Sequence, residues 1–304
     1  MTPPVSIIIP ARNEEQNLGQ CLDRVFAQTG AGEPEVIVID SGSRDRTREI
    51  ARQYPVRLIE IAAHEFHHGR TRNLGAEAAA GEFLVYLSAD AFPVDGGWLR
   101  HLLAPFADAE VAAVYGAQVA KPGAPPERVF FMQHRYGPEP RDSRALGRGQ
   151  ASYRACQFST VNGALRRSAW ARFRFPEDLN AYEDIGISKQ IVNAGLAVVY
   201  EPRAAVLHSH NYSLWYSFKQ YFDNGVVYQR WSMLDDTQSQ RLRADGLGYL
   251  KAELGYLARQ GQRRRWPYVL SYEAMRYLGV MLGRHEARLP RGLKRHFSSH
   301  RLFG

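Results

Sequence analysis

Residues 83–90 read FLVYLSAD, an apolar run that ends in a carboxylate. Two similar runs come earlier in the chain: VSIIIPARNEE at 5–15 and EVIVIDSGSRDRT at 35–47. Each run has the pattern of a buried strand followed by a polar loop that contains an acidic residue. In open α/β sheets, ligands bind at the carboxyl ends of the strands. We therefore expect buried parallel strands with a ligand site along one edge of the sheet.

The strand patterns alternate with helical patterns of about ten residues, which favours a mostly parallel sheet. Strands are expected at 5–10, 36–40, 56–61, 83–87, 111–117 and 204–208. Helices are expected at 71–80 and 98–106, and a further helix from Glu183. An aromatic helix is expected at 212–231.

The helix after the first strand is indicated by one apolar stripe: Leu18, Cys21, Leu22, Val25 and Phe26. Asn13 is expected to cap it, with Glu14 and Glu15 in its first turn. Residues 118–157 are rich in Pro, Gly and Arg and predict a mobile loop over the site.

The composition is that of a globular chain, because 45% of the 304 residues are apolar and 23% are charged. Cys21 and Cys156 form no spaced pair, which favours a reducing compartment over a disulfide framework or a zinc ribbon. No secretory leader pattern and no run of eighteen apolar residues occur. We expect a cytoplasmic protein that does not span a membrane.

Positive charge is concentrated in residues 241–304, which hold 14 Lys and Arg against 4 Asp and Glu, a balance of +10. Because the whole chain carries +8, residues 1–240 balance at −2. The basic segment has three interpretations: solvated helix faces, contact with an anionic membrane surface at the inner face of the cytoplasmic membrane, or nucleic-acid binding. Nucleic-acid binding is not expected to be the main function, and no nucleic-acid partner is expected.

The chain contains neither a G-x-x-x-x-G-K-[ST] loop nor a G-x-G-x-x-G turn. The candidate nucleotide site is therefore formed by the ends of the strands. Asp40 could accept a hydrogen bond from a pyrimidine imide N–H. The small residues Ser41, Gly42 and Ser43 would let the backbone approach the base and ribose. The alternative is a helix-capping turn.

Asp90 is the candidate metal ligand, because a hard divalent cation such as Mg²⁺ or Mn²⁺ takes oxygen ligands and would bridge the phosphates of a nucleotide-sugar. His208 is a second candidate ligand, and His210 competes with it. The alternative for Asp90 is an exposed loop aspartate. A zinc site from His64, His67 and His68 is the other metal candidate, but it lacks Cys partners.

Glu183 and Asp184 open a predicted helix in NAYEDIGISKQI. A helix N-terminus favours ionised carboxylates, and a positioned carboxylate can take a proton from an attacking hydroxyl. The alternative is that both are only first-turn partners of the helix dipole.

Together these segments resemble the family 2 inverting glycosyltransferases of GT-A fold. The likeness is carried, over roughly residues 4–225, by VSIIIPARNEEQNL, VIVIDSGSRDRT, HGRTRNLGAEAAAGEFLVYLSADA, STVNGALRRSAW and YEDIGISKQIVNAG. The stretches HGRTRN, STVNGALRRS and HSHNYSLWYSFKQYFDNG are most similar to the bacterial rhamnosyltransferases, which use dTDP-L-rhamnose.

The resemblance implies roles for individual residues. Asp184 would be the catalytic base and Glu183 a neighbour that orients the acceptor. Asp90 and His208 would contact a divalent cation, His208 either as a metal ligand or as a diphosphate contact. The nucleotide-sugar would be bound by Pro10, Ala11, Asn13, Glu14, Asp40, Ser41, Gly42, Arg72, Ser88, Ala89 and Asp90.

The resemblance has one departure, at the D-x-D motif, which reads Ser88-Ala89-Asp90. The first carboxylate, which often touches ribose, is replaced by a hydroxyl, a change that fits a deoxyribose nucleotide such as dTDP.

The expected organisation is a GT-A domain at 1–225, Rossmann-like with helices on both sides of the sheet. Its nucleotide-sugar half would be 1–117 and its acceptor half 118–225, followed by a helical, basic extension at 226–304. The expected activity is transfer of a sugar to a glycan or lipid-linked acceptor. A UDP- or GDP-sugar donor, or a non-catalytic binding protein led by the basic segment, are the alternatives.

Overall fold

A computed structural model of the chain describes residues 5–149, 151–152, 154–178, 181–231, 236–300 and 302–303, with no side-chain description for 236–245. The chain forms two compact units. The first unit consists of Met1–Val119 and Tyr136–His208, and the second of Ala120–Arg135 and Ser209–Gly304. As defined by packing, the second unit therefore begins before residue 226, where the helical extension was expected to start. It also includes a segment from the middle of the chain.

Among the described residues, nine strands form one mixed sheet in the first unit. They are β1 (Val5–Ala11), β2 (Glu35–Asp40), β3 (Arg57–Glu60), β4 (Phe83–Leu87), β5 (Phe92–Pro93), β6 (Val111–Val119), β7 (Arg141–Asp142), β8 (Asn162–Arg166) and β9 (Ala197–Leu207). Their order is β3-β2-β1-β4-β8-β6-β9-β5, and β7 pairs with β9.

Strands β3, β2, β1 and β4 are parallel to one another, as their continuous apolar runs predict. In their middle, Ile8 lies between Ile37 of β2 and Tyr86 of β4. Strand β8 then runs antiparallel to both β4 and β6, and β6 is parallel to β9. The amino end of β8 therefore lies beside the carboxyl end of β4.

The α-helices, in chain order, are α1 (Leu18–Phe26), α2 (Thr47–Ala51), α3 (His68–Ala78), α4 (Trp98–Leu103), α5 (Pro126–Arg135), α6 (Arg167–Phe173), α7 (Glu183–Asn193), α8 (Leu214–Arg230), α9 (Asp236–Arg259), α10 (Trp266–Arg284) and α11 (Arg291–Phe297). Short 3-10 helices span Ala104–Ala107, Ser143–Leu146, Arg263–Arg265 and Glu286–Arg288. Helices α5 and α8–α11 belong to the second unit.

The apolar stripe of α1 is confirmed, because Leu18, Cys21, Leu22 and Val25 are fully buried, although Phe26 is exposed. The expected cap is wrong. Asn13 has a left-handed backbone with φ 55°, and its side chain accepts a hydrogen bond from Arg44 N. It therefore links the loop after β1 to the loop after β2. The helix begins later, at Leu18, and Glu14 and Glu15 lie before its first turn.

The stretch 118–157, expected to be a mobile loop over the site, contains secondary structure. Within it, Pro126–Arg135 forms α5, and Arg141–Asp142 pairs with β9. Strand β9 is longer than expected, because it begins at Ala197 rather than at Ala204. Both cysteines are buried and free, and burial raises the pKa of the Cys156 thiol to about 12.

The second unit is held together by close backbone contact between α8 and α10. A Cβ added at Gly283 would lie 2.0 Å from the carbonyl oxygen of Phe222, and one at Gly225 would lie 2.3 Å from that of Val280. Only glycine allows these two helices to approach so closely. Within the described part of the chain, no helix combines the length and the apolar character needed to cross a bilayer.

Candidate functional site

The loops that follow β1 and β2 are joined by hydrogen bonds from backbone to side chain. Asn13 N donates to Ser43 Oγ at 2.9 Å, and Glu14 N donates to Thr47 Oγ1 at 2.7 Å. Ser41 N donates to the carbonyl oxygen of Ala11 at 3.0 Å. Two strand-end loops thus form one fixed rim at the carboxyl edge of the sheet. Pro10 is half-buried at the end of β1.

Asp40 uses its two carboxylate oxygens differently. Its Oδ2 accepts hydrogen bonds from Gly42 N at 3.1 Å and Ser43 N at 3.0 Å, which form a local turn, and the following helix α2 begins only at Thr47. Its Oδ1 is buried and has no partner among the described residues. A buried carboxylate oxygen normally has a partner, so Oδ1 remains available to a ligand donor. Gly42 has φ 73°, and a Cβ there would lie 2.9 Å from Ala63 N.

Asp90 and His208 lie together, as the sequence predicted, and both side chains are nearly buried, with 13% and 11% exposed. His208 Nε2 is 3.5 Å from Asp90 Oδ2. The other ring nitrogen, Nδ1, is 2.9 Å from Gln118 Oε1. His210, the competing choice, belongs to the second unit.

Arg72 and Glu183 form a buried ion pair at 2.9 Å, with 11% and 5% of their side chains exposed. Thr160 Oγ1 also donates to Glu183 Oε1, at 3.4 Å. Arg72 Nη1 donates in addition to the carbonyl oxygen of His68 at 3.1 Å. The sequence singled out Arg72 and Glu183 separately and did not predict that they pair.

Asp184 follows Glu183 at the start of α7, where the unpaired N–H groups of the helix favour a carboxylate. It is less buried than Glu183, and its Oδ1 accepts a hydrogen bond from Ile185 N at 2.8 Å. Tyr182, just before the helix, has a left-handed backbone with φ 65°. Left-handed backbone in a non-glycine residue is costly and persists where surrounding contacts impose it.

The loop that carries Asp90 is connected to the start of α7 through the segment before β8. Ser88 N donates to the carbonyl oxygen of Val161 at 3.1 Å. The neighbouring residue, Thr160, donates to Glu183. Ser88 is half-buried and Ala89 is buried. The end of β4 and the amino end of α7 therefore belong to one hydrogen-bonded edge of the first unit.

The three histidines His64, His67 and His68 are not brought together as a metal cluster within the residues that the structure describes. His67 Nδ1 instead accepts a hydrogen bond from Arg70 N and caps α3. Sequence reasoning missed Gln118, Thr160 and Asn162 as residues of this edge. Their only signal was position, because they lie at the end of β6, just before β8 and at its start.

Solved structures share this architecture. A mannosyltransferase from Pyrobaculum calidifontis, determined with GDP-Man and Mn²⁺, aligns over 94% of this chain and 88% of its own, with a TM-score of 0.66 and 18% identity. TarS from S. aureus, in complex with UDP-GlcNAc, aligns over 94% of this chain and 91% of its own, with a TM-score of 0.52 and 15% identity. The fold is that of the GT-A glycosyltransferases, with a helical C-terminal region, as the sequence predicted.

The family described as glycosyl transferase family 2 matches residues 6–172. The O-antigen chain rhamnosyltransferase WbaN of Salmonella anatum is 31% identical over 99% of this chain and 96% of its own length. RfbN of Salmonella typhimurium, with the same description, is 30% identical over 98% of this chain and 95% of its own. The chain therefore belongs to the family 2 glycosyltransferases and is related to the bacterial rhamnosyltransferases.

Proposed function

We propose that this glycosyltransferase moves L-rhamnose from dTDP-L-rhamnose to a hydroxyl of a glycan or lipid-linked acceptor, with inversion at the anomeric carbon. The observation that carries this proposal is the likeness, along nearly the whole chain, to two O-antigen chain rhamnosyltransferases. Ser88 in place of a ribose-binding carboxylate also favours a deoxyribose nucleotide. A UDP- or GDP-sugar remains the alternative donor.

The donor would lie along the carboxyl edge of the sheet. Asp40 Oδ1, buried and without a described partner, would accept the imide N–H of the base. The rim formed by Pro10, Ala11, Asn13 and Glu14 on one side, and by Ser41 and Gly42 on the other, would hold base and ribose. Because these loops are already joined by hydrogen bonds, little conformational entropy would be lost on binding.

The residues present fit a divalent cation. A carboxylate oxygen of Asp90 and a ring nitrogen of His208 face each other at 3.5 Å in a nearly buried position. Oxygen and imidazole ligands of this kind suit Mn²⁺ and Mg²⁺. Bound there, the cation would neutralise negative charge on the departing diphosphate.

Asp184 would act as the base and Glu183 as a positioning residue. Glu183 is already engaged by Arg72 and Thr160, so its carboxylate is poorly placed to take a further proton. Asp184 is more accessible and lies at the positive end of α7. It would accept the proton of the acceptor hydroxyl as that oxygen attacks the anomeric carbon on the face opposite the nucleotide.

The test compares nucleotide binding with turnover. Calorimetry with dTDP, UDP and GDP in Mn²⁺ or Mg²⁺ should give the tightest binding for dTDP; tighter binding of UDP or GDP would reassign the donor. The Asp184→Asn variant should then bind dTDP normally but turn over ~10²–10⁴-fold more slowly, the usual contribution of a positioned base. The exposed Glu139→Gln provides the control. Unchanged turnover in Asp184→Asn would remove Asp184 from the mechanism.

We also propose peripheral contact with an anionic membrane, where a lipid-linked acceptor would lie. Helix α10 exposes Leu270, Tyr277 and Leu278, with 47%, 56% and 47% of each residue accessible. The exposed residues Arg263 and Arg264 come just before the helix. Apolar side chains next to cationic ones are typical of helices that lie on anionic bilayers. Flotation with phosphatidylglycerol vesicles should decrease in a Leu270→Ser/Leu278→Ser variant; undiminished flotation would exclude this face.

A further inference from the structure

We propose that Gln118 is a positioning residue: its side-chain oxygen fixes the tautomer and orientation of His208 so that Nε2 faces Asp90. The consequence for the cation rests on the proposed function, whereas the effect on the ring is a property of the chain alone. The inference follows from an irregular pairing of β6 with β9.

The pairing of β6 with β9 changes register between Gly116 and Gln118. Gly116 lies opposite Glu201, but Gln118 lies opposite Val206, so two steps along β6 correspond to five along β9. The extra residues of β9 form a bulge, and bulges redirect the side chains that follow them. The bulge crosses directly over Gly116, where a Cβ would lie 1.9 Å from the carbonyl oxygen of Ala204.

Asn162, at the start of β8, holds this bulge in place. Its Nδ2 donates to the carbonyl oxygen of Ala204 at 2.7 Å and to that of Ala117 at 3.0 Å. Its Oδ1 accepts a hydrogen bond from Trp98 Nε1 at 2.8 Å. Asn162 is fully buried, and a buried amide with these partners fixes backbone geometry. The new register is therefore imposed by Gly116 and Asn162.

Beyond the bulge, the new register brings Gln118 and His208 together. His208 N donates to the carbonyl oxygen of Val119 at 2.9 Å. The Gln118 amide donates through Nε2 to Ser159 Oγ at 3.0 Å, which turns its Oε1 toward His208 Nδ1, 2.9 Å away. In this orientation of the amide, Oε1 has no proton to give, so the Nδ1–H tautomer of His208 satisfies the contact.

With the proton on Nδ1, the lone pair of a neutral His208 ring is on Nε2, the atom that faces Asp90 Oδ2 at 3.5 Å. A ligand imidazole whose second nitrogen donates to an oxygen is the usual arrangement around protein-bound metals. Loss of such a supporting residue typically weakens metal binding by about 10- to 100-fold. Gln118 would therefore tune cation affinity without touching the cation.

The test uses two readouts on the full chain: the ring ¹⁵N shifts of His208 without metal, and Mn²⁺ affinity by electron paramagnetic resonance in the presence of dTDP. Wild type should show the Nδ1–H tautomer. Gln118→Met, which keeps length but removes the acceptor, should populate the Nε2–H tautomer and weaken Mn²⁺ binding about 10- to 100-fold. Gln118→Glu should restore the Nδ1–H tautomer, and the exposed Gln190→Met should change neither readout.

An unchanged tautomer in Gln118→Met would overturn the inference. Absence of Mn²⁺ binding in wild type would instead overturn the cation part of the proposed function, while the ring shifts would still decide whether Gln118 positions His208. If Gln118→Met fails to fold, Gln118→Leu, which also removes the acceptor, provides the second variant. An unchanged Nδ1–H tautomer in that variant would equally contradict the inference.

Discussion

The two units bury charged and polar side chains in different ways. In the first unit, several buried side chains at the sheet edge pair with one another, as in Arg72 with Glu183 and Gln118 with His208, although Asp40 Oδ1 has no partner among the described residues. In the second unit, glycine contacts join α8 to α10, and Arg276 pairs with Glu273 at 2.5 Å and is also surrounded by aromatic rings. Arg276 lies over the Tyr221 ring, with its guanidinium carbon 4.3 Å from the ring centroid. Glu253 is buried with one oxygen that has no partner among the described residues.

The two units therefore differ in how strictly their side chains are held in one position. Directional hydrogen bonds hold side chains in one geometry, which a transfer reaction needs. Stacked rings and close helix contact give cohesion with less directional constraint. The fixed geometry that a transfer reaction needs is therefore expected in the first unit, and the second unit is expected to respond mainly in stability when its packing changes.

The largest expected effect comes from breaking the buried ion pair. Arg72→Met would leave the Glu183 carboxylate buried without its cation, and such changes typically cost about 3–5 kcal/mol of unfolding free energy. Arg70→Met, two positions earlier on α3, is the matched control, because Arg70 pairs with Glu177 at 3.4 Å in an exposed position. That control should cost less than about 1 kcal/mol. Denaturant unfolding measures both, and equal losses would contradict the comparison.

A smaller effect is expected from the helix contact of the second unit. Gly283→Ala places a Cβ 2.0 Å from the carbonyl oxygen of Phe222, so α8 and α10 must separate. Overpacking of this kind costs about 1–3 kcal/mol. The control is Gly248→Ala on α9, where a Cβ meets no atom within 4 Å and a gain of about 0.5–1 kcal/mol is expected from helix propensity. Thermal unfolding that moves in the same direction for both would show that α8 and α10 are not held by this contact.

The sequence predicted the fold best where local pattern and tertiary environment agree. Strand β4 was predicted with its observed bounds, and the start of α7 at Glu183 was correct, because continuous apolar runs and helical spacing are local signals. The short helix α5 was missed because Pro- and Gly-rich residues lie on both sides of its ten residues and give the whole stretch the composition of a loop. Asn13 was misassigned because a left-handed backbone gives no signature that separates a loop residue from a cap.

The sequence named two candidate residues that lie together in the structure, but it did not show how the residues of this edge pair. Asp90 and His208 could be named from their position at strand ends, and they lie together. The pairing of Arg72 with Glu183 and the support of His208 by Gln118 depend on which strands are neighbours and on the register shift after Gly116. Register across distant strands is a tertiary property, so no single segment could show it.

A pH-dependent effect on stability is also expected, and Glu253 causes it. Burial, followed by the nearby Glu273 carboxylate, raises the pKa of Glu253 from 4.5 to about 8. Below pH 4.5 the carboxyl is protonated in both folded and unfolded chains, so its contribution to stability is fully present there. Between about pH 4.5 and 8 only the unfolded chain loses the proton, so the free energy of unfolding should fall as pH rises.

Glu253→Gln should remove this slope, because an amide has no proton to lose in this range. The free energy of unfolding of the variant should exceed that of wild type most clearly near pH 8. Unfolding midpoints from pH 5 to 9 measure the difference, with the exposed Glu139→Gln as the control that keeps the wild-type slope. Parallel curves for wild type and Glu253→Gln would mean that Glu253 is ionised in the folded chain with a partner. Glu253 would then resemble the paired Arg72 and Glu183 of the first unit, and the contrast that Glu253 provides between the two units would be lost.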